Sequence, residues 1–315
     1  MSRKYTPLSL KGLKTYSLKG RKSKVKLNDL GSPFSKGSFG DFLNSLPKTL
    51  AANNIREIVN SIIKARRSNR PVILGMGAHP IKVGLSPIII HLMEKGIITA
   101  IAMNGACIIH DFELSFIGYT SEDVDREICT GTFGMAEETG IELNQAIKKG
   151  VSAGHGIGMA VGEFISKGRF PYSKYSILAT AYKINIPATV HVALGTDIIH
   201  MHPEADGVAT GEGSMRDFRL FASVISDLEG GVYINLGSAV ILPEVFLKAL
   251  SVARNLGHTV KNFTTVNMDF IQHYRPHENV LRRPTLEAGR FYAITGHHEI
   301  MFPLLSAAIM DSIKN

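Results

Sequence analysis

Short apolar runs that close on glycine, separated by stretches of helical periodicity, leave this chain few folds to choose from. The run Pro71-Val72-Ile73-Leu74-Gly75-Met76-Gly77 has no polar face, as befits a strand covered on both sides by helices. Residues 97–103 repeat the pattern and reach Asn104-Gly105-Ala106. Residues 188–194 end at Gly195-Thr196-Asp197, residues 231–236 at Gly237-Ser238-Ala239, and 261–266 close the series. Helical stretches fall at 81–95, 173–183, 218–228 and 244–256, and 44–69 carries Leu50, Ile55, Ile58, Val59 and Ile62 on one stripe. This alternation predicts an α/β fold, a doubly wound, mostly parallel sheet with helices on both faces, Rossmann-like in plan. A ligand crevice in such a sheet lies outside the carboxyl ends of the strands, which singles out the loops after Leu74, Met103, Leu194, Leu236 and Val266.

The chain has 315 residues, 44% hydrophobic, enough for one large core. No linker divides 44–315, so one domain is expected there, behind an arm over 1–43. The net charge is +8, but nine Lys or Arg fall between residues 3 and 26 with no acid among them, leaving about −1 for the rest. Such an arm attracts phosphate and carboxylate. RNA, an acidic partner or a neighbouring subunit could take it, and a solvated tail is the simpler expectation. Any nucleic-acid binding is expected only through this arm. The apolar stretch 71–109 is broken by His79, Lys82, His91, Glu94 and Lys95, so no membrane helix is expected. With no secretory signal pattern at the N-terminus, the cytoplasm is the expected location. Cys107 and Cys129 show no CxxC spacing, and both are expected to be buried thiols.

Gly75-Met76-Gly77-Ala78 and Gly237-Ser238-Ala239 sit at strand ends, where glycine lets backbone approach a phosphate or ring. Neither completes GxGxxG. Gly154-His155-Gly156-Ile157-Gly158, with Gly162, spells that motif more closely but follows a helix-like stretch, so it reads as close helix packing, a mobile loop or a lid. His110, Asp111 and Glu113 lie just past a strand end, where a histidine beside acids suits a general base or a cation site; helix capping by Asp111 is the plain alternative. His200-Met201-His202 with Asp197, His191 and Glu204 has metal-ligand residue types, and His297-His298-Glu299 raises the same question. Without a second spaced ligand pair, no metal is expected. Residues 206–213 read as a surface loop that could cover the crevice.

From about Val72 to the C-terminus the chain resembles the deoxyhypusine synthase family. Asn104-Gly105-Ala106 followed by acids is similar to its Ala-Gly-Gly loop, Leu194-Gly195-Thr196-Asp197 to its Thr-Asp-Gly strand end, and Asn235-Leu236-Gly237-Ser238-Ala239 to its Leu-Gly-Gly-Gly. Arg275-Pro276-His277-Glu278 resembles Arg-Pro-Asp-Glu, and Phe302-Pro303-Leu304-Leu305 matches Phe-Pro-Leu-Leu. The resemblance implies an NAD site, a homotetramer, and aminobutyl transfer from spermidine to lysine. It also exposes a departure. The family's imine-forming lysine follows Arg-Pro-Asp-Glu, and here Asn279-Val280-Leu281-Arg282-Arg283-Pro284-Thr285 contains none. Arginine cannot replace it, because a guanidinium stays protonated. Ile241-Leu242-Pro243 likewise stands where the family has Lys-His-His.

These readings define the expectations. The cofactor is NAD, held by Gly75, Gly77, Asn104, Gly105, Ala106, Asp197, Gly237, Ser238, Ala239 and Asp269. The reactive groups are His110, Asp111, Glu113, His297 and Glu299, with Arg282 or Arg283 for an anionic group and Lys82 as the nearest alternative amine. The substrate is a small amine or other polar molecule. The competing classes are a non-catalytic ligand- or RNA-binding scaffold using the arm, and a metal-dependent hydrolase built on His200, His202 and Asp197.

Overall fold

The computed structural model describes residues 5–314, so Arg3 and Lys4 of the basic arm lie outside the described residues. Six parallel strands form one sheet: β1 (Val72–Met76), β2 (Ala100–Asn104), β3 (Ala188–His191), β4 (Val232–Leu236), β5 (Thr264–Asp269) and β6 (Arg290–Thr295). Their order is 3-2-1-4-5-6. The chain winds outward one way from β1 and then returns to lay β4 on its other side, so the order reverses between β1 and β4, where Gly75 pairs with Asn235 and Met76 with Leu236. That reversal opens the crevice of a doubly wound sheet.

One face is covered by α2 (Leu50–Arg67), α4 (Ser86–Glu94), α5 (Gly105–Ile117), α7 (Glu137–Ser152), α8 (Ile157–Lys167), α9 (Ile177–Lys183) and α13 (His298–Lys314), the other by α10 (Gly207–Ser226) and α11 (Ile241–Asn255). Shorter helices are α1 (Phe39–Ser45), α3 (His79–Lys82), α6 (Val124–Glu127) and α12 (Tyr274–Pro276), the last running into a π turn over His277–Arg282. The α2 stripe buries Ile55, Ile58, Val59 and Ile62 as its period predicts. Across the sheet, Tyr233 of β4 stacks on Phe246 of α11 with ring centroids 3.9 Å apart. Each such ring removes upwards of about 150 Å² from water.

Several boundaries differ from the sequence reading for identifiable reasons. Helix 81–95 is two helices, because Gly84 adopts φ +82 and Pro87 opens α4. Helix 44–69 likewise divides at Leu46-Pro47 into α1 and α2. Strand 188–194 stops at His191, where Ser214 takes the Val192 N–H at 3.1 Å. Strand 261–266 begins late, since Glu229 accepts from the amides of Lys261 and Asn262 at 2.6 and 3.0 Å. The expected loop 206–213 is instead the first turns of α10, capped by Asp206, which accepts from Val208 and Ala209. Cys107 is buried as expected, but Cys129 is exposed next to α6.

The Gly154–Gly158 cluster is a packing device. An added Cβ at Gly158 would stand 2.1 Å from the Ala188 carbonyl oxygen, and one at Gly162 2.6 Å from that of Leu178. The small residues let α8 lie backbone-close on β3 and α9. Asp217 of α10 then accepts from Gly158 and Val190, tying α8 to β3.

Candidate functional site

The carboxyl ends of β2 and β3 border a cavity of about 440 Å³ lined by Lys82, Ala106, His110, Glu113, Glu122 and Asp197, together with apolar side chains such as Ile109 and Phe133. Four of the sequence candidates, Ala106, His110, Glu113 and Asp197, therefore meet in one place, and Lys82 joins them from α3. His110 and Glu113 share a face of α5 because they are three residues apart.

The hydrogen bonds fix their chemistry. Thr120 donates its one hydroxyl hydrogen to Glu113, since a carboxylate can only accept. Thr139 adds a second donor to Glu113 at 3.1 Å. The Thr120 oxygen, 2.7 Å from His110 Nδ1, must then accept from Nδ1–H. That assignment leaves the lone pair of a neutral imidazole on Nε2. Burial, with the nearby Lys82 charge, lowers the His110 pKa to about 4. The site thus holds an unprotonated imidazole, oriented through Thr120 by a carboxylate, at neutral pH. Glu122 Oε1 holds the Gly134 amide at 2.9 Å, fixing the segment that walls the cavity.

Asp197 follows β3 and lies against the first turn of α5, so closely that an added Cβ at Gly105 would be 1.9 Å from its Oδ2. That oxygen is buried without a hydrogen-bond partner, and burial raises the pKa of the group. Asn104 accepts from the Cys107 thiol at 3.0 Å, and Gly105 and Ala106 start the helix.

A second cluster occupies the ends of β1, β4 and β5. His298, 1% exposed, has Nε2 3.5 Å from Asp269 Oδ1, and neither ring nitrogen has a hydrogen bond. His79 meets it edge-on at 5.3 Å, and Phe270 contacts both rings. Burial, then the proximity of His298 and Lys82, lowers the His79 pKa. His297 stacks over Phe270 and lies 3.9 Å from Glu299, both solvent-accessible. Gly237 adopts φ +65, with its Cβ position 2.6 Å from His298, and Ser238 Oγ accepts from Leu242 at 3.2 Å. Gly77 is pressed against the Gly237 carbonyl, and Gly75 makes room within the sheet for the Tyr233 hydroxyl.

Asp111 is not part of either cluster. Fully buried, it accepts from Ser176 Oγ, Ile177 N and Leu178 N at 2.6, 2.7 and 3.2 Å. It caps α9 from a neighbouring helix, and burial raises its pKa to about 6. Arg282 and Arg283 are engaged by Glu278, whose carboxyl Arg282 holds down at about 2. His191 is buried against Thr189 and Phe221, His202 faces the Gly134 carbonyl, and His200 Nδ1 accepts from Gly195 and Asp197 amides. No group of three His, Cys, Asp or Glu among the described residues could hold a metal ion.

The sequence reading did not single out His79, Thr120, Glu122 or Thr139, and it gave His298 only within the His297-His298-Glu299 triplet. Position in the strand-end loop after Leu74 was a usable signal for His79. Thr120 and Thr139 carry none, because they reach Glu113 only through the folded path of residues 118–139.

No known family model matches this chain, and no curated protein matches it. Solved structures do. A candidate deoxyhypusine synthase from Entamoeba histolytica aligns over 89% of this chain and 96% of its own, at 16% identity and a TM-score of 0.52. A conserved protein described as LOR/SDH from Methanococcus maripaludis S2 aligns over 83% and 70%, at 18% identity and 0.51. AgrE, in its ternary complex with ornithine and NAD+, aligns over 82% of this chain and 33% of its own, at 15% identity and 0.51. This chain thus spans about a third of the AgrE length. These likenesses establish a deoxyhypusine synthase-like, Rossmann-like α/β fold.

Proposed function

We propose that this protein is an NAD-binding enzyme that carries out redox or transfer chemistry on a small amine or other polar substrate, and that it is not a deoxyhypusine synthase. The observation that carries this reading is the His110–Thr120–Glu113 relay opening on a cavity beside the strand-end crevice. Asp197 and Asp269, at the ends of β3 and β5, fit the dinucleotide as acceptors for ribose hydroxyls. The partnerless Asp197 Oδ2 supports that fit. The strand-end loops of Gly77, Asn104, Gly237 and Ser238, beside the reversal between β1 and β4, are where the rest of the cofactor would lie. When bound, NAD supplies a hydride acceptor.

The remaining work falls to side chains. Glu122 gives the cavity a carboxylate that draws in an ammonium, while Ile109 and Phe133 take an apolar stem. His110 Nε2 accepts the proton released as the substrate is oxidised, and Glu113 holds the resulting imidazolium through Thr120. His297 and Glu299 stand at the mouth of the crevice. Ion pairing of Arg282 and Arg283 with Glu278, and the absence of lysine from 279–285, speak against an enzyme-bound imine there. We further place the protein in the cytoplasm as a homo-oligomer, a tetramer by resemblance. The AgrE complex with ornithine and NAD+ supports the choice of ligands.

The test is NAD reduction followed by absorbance over a panel of small amines. An active amine should lose about 100-fold or more in rate in His110→Gln with NAD affinity retained. No reduction with any amine, or full activity in the variant, removes His110 from the chemistry.

A further inference from the structure

The cavity beside β2 and β3 holds a cation that no acid among the described residues neutralises. Helix α3 follows the glycine loop at the end of β1 and is stopped by Gly84, at φ +82. Pro80 and Ile81 are buried and anchor it, so the next residue, Lys82, is turned out to solvent and onto the cavity lining. Among the described residues its ammonium forms no ion pair. The two imidazoles that feel its charge, His79 and His110, cannot offset it.

The acids of the same lining are placed otherwise. Glu113 is taken up by Thr120 and Thr139. Glu122 Oε1 holds the Gly134 amide, which leaves Oε2 without a hydrogen bond or ion pair among the described residues. Lys82 and Glu122 do not pair with each other, and the rest of the lining includes the apolar Ile109, Ile117, Val124 and Phe133. A cavity with one unpaired cation, one half-engaged carboxylate and apolar walls is complementary to a molecule that carries both charges on an aliphatic stem.

We propose that the substrate of this cavity is an amine that bears a carboxylate at the other end of a short aliphatic stem, with Lys82 binding the carboxylate and Glu122 the ammonium. The carboxylate accepts charge-assisted hydrogen bonds from the Lys82 ammonium. This inference rests on the reading of the cavity as a substrate site, and it narrows that reading. A diamine or polyamine would set a second ammonium against Lys82, a like-charge contact that selects against it.

The test is calorimetric titration of the purified protein at low salt with β-alanine, 4-aminobutanoate, 5-aminopentanoate and 6-aminohexanoate, each beside the monoamine and the diamine of the same carbon count. At least one amino carboxylate should bind about 5-fold or more tighter than its monoamine, the scale of one solvent-open charge pair, with the diamine weakest. Lys82→Met should erase the difference, and Lys82→Glu should reverse it in favour of the diamine. A purely structural role for Lys82 would give no such reversal. Equal binding of monoamine and amino carboxylate by the wild type would overturn the proposal while leaving the cavity an amine site. A Lys82→Met variant that keeps the carboxylate preference but loses NAD affinity would assign Lys82 to the cofactor's phosphates, and the proposal fails. If no amine of any kind binds, with NAD or without it, the substrate-site reading itself is removed and the proposal falls with it.

Discussion

Asp217 Oδ2 on α10 accepts the backbone N–H of Gly158 on α8 at 2.9 Å, and the same oxygen accepts that of Val190 on β3 at 2.8 Å. One carboxyl thus ties two elements together from a third. Burial pushes its pKa up to about 7 against the pull of these bonds. The folded carboxyl therefore holds its proton more tightly than the unfolded one, so its stabilising contribution is complete at low pH and is lost as pH rises through 7. Asp111, raised to about 6, acts in the same sense. Between pH 6.5 and 8.5 the wild type should lose on the order of 1 kcal/mol. Asp217→Asn should cost about 1–3 kcal/mol at pH 6.5 and flatten that dependence. Urea denaturation at the two pH values reads both effects.

A second expectation contrasts two helical glycines. Gly158→Ala drives a methyl into the Ala188 carbonyl, whereas nothing lies within 4 Å of a Cβ at Gly211. Gly158→Ala should destabilise by about 3 kcal/mol, at the upper end of overpacking costs. Gly211→Ala should stabilise by up to about 1 kcal/mol through helix propensity. Thermal melts that rank the two the other way would refute the packing role of α8.

Much of the fold was legible because its strands are buried on both faces and so appear as unbroken apolar runs. Strand β6 was not read, because its apolar run, Phe291-Tyr292-Ala293-Ile294, is only four residues long and lies between Arg290 and Thr295, both exposed at the sheet edge. The π turn over 277–282 depends on ion pairs of Glu278, which no periodicity announces. At the site, strand-end position identified His110, Glu113 and Asp197. It also drew in Asp111, whose role as cap for α9 depends on Ser176, 65 residues away. The partners Thr120 and Thr139 were invisible for the same reason.

The segment leading to α6 is held to α5 through Thr120. Thr120→Val removes the donor to Glu113 and the acceptor for His110 at once, at a cost of about 1–3 kcal/mol. Amide hydrogen exchange over 118–136 should speed up by about 10-fold or more, with the sheet unaffected. Unchanged exchange there would mean that Glu122 and Gly134 carry the attachment.

His110 should titrate near pH 4, and His191, buried against Phe221, near 3. Both are depressed, so their contribution to stability is present above pH 6.5 and is lost as pH falls through those values. Nitrogen-15 spectra of histidine-labelled protein should show His110 neutral, with Nδ1 protonated, from pH 5 to 8. A midpoint near 6.5 would contradict the effect of burial and Lys82 on the ring, and a neutral ring protonated at Nε2 would contradict the orientation derived through Thr120.

Calorimetric titration with NAD, alone and with a small amine present, tests the central claim most directly. The expected result is micromolar NAD binding that weakens about 10-fold or more in Asp269→Ala, matching the loss of one charge-assisted hydrogen-bond acceptor. No heat of binding at millimolar NAD, from protein with a sharp thermal transition, would contradict it.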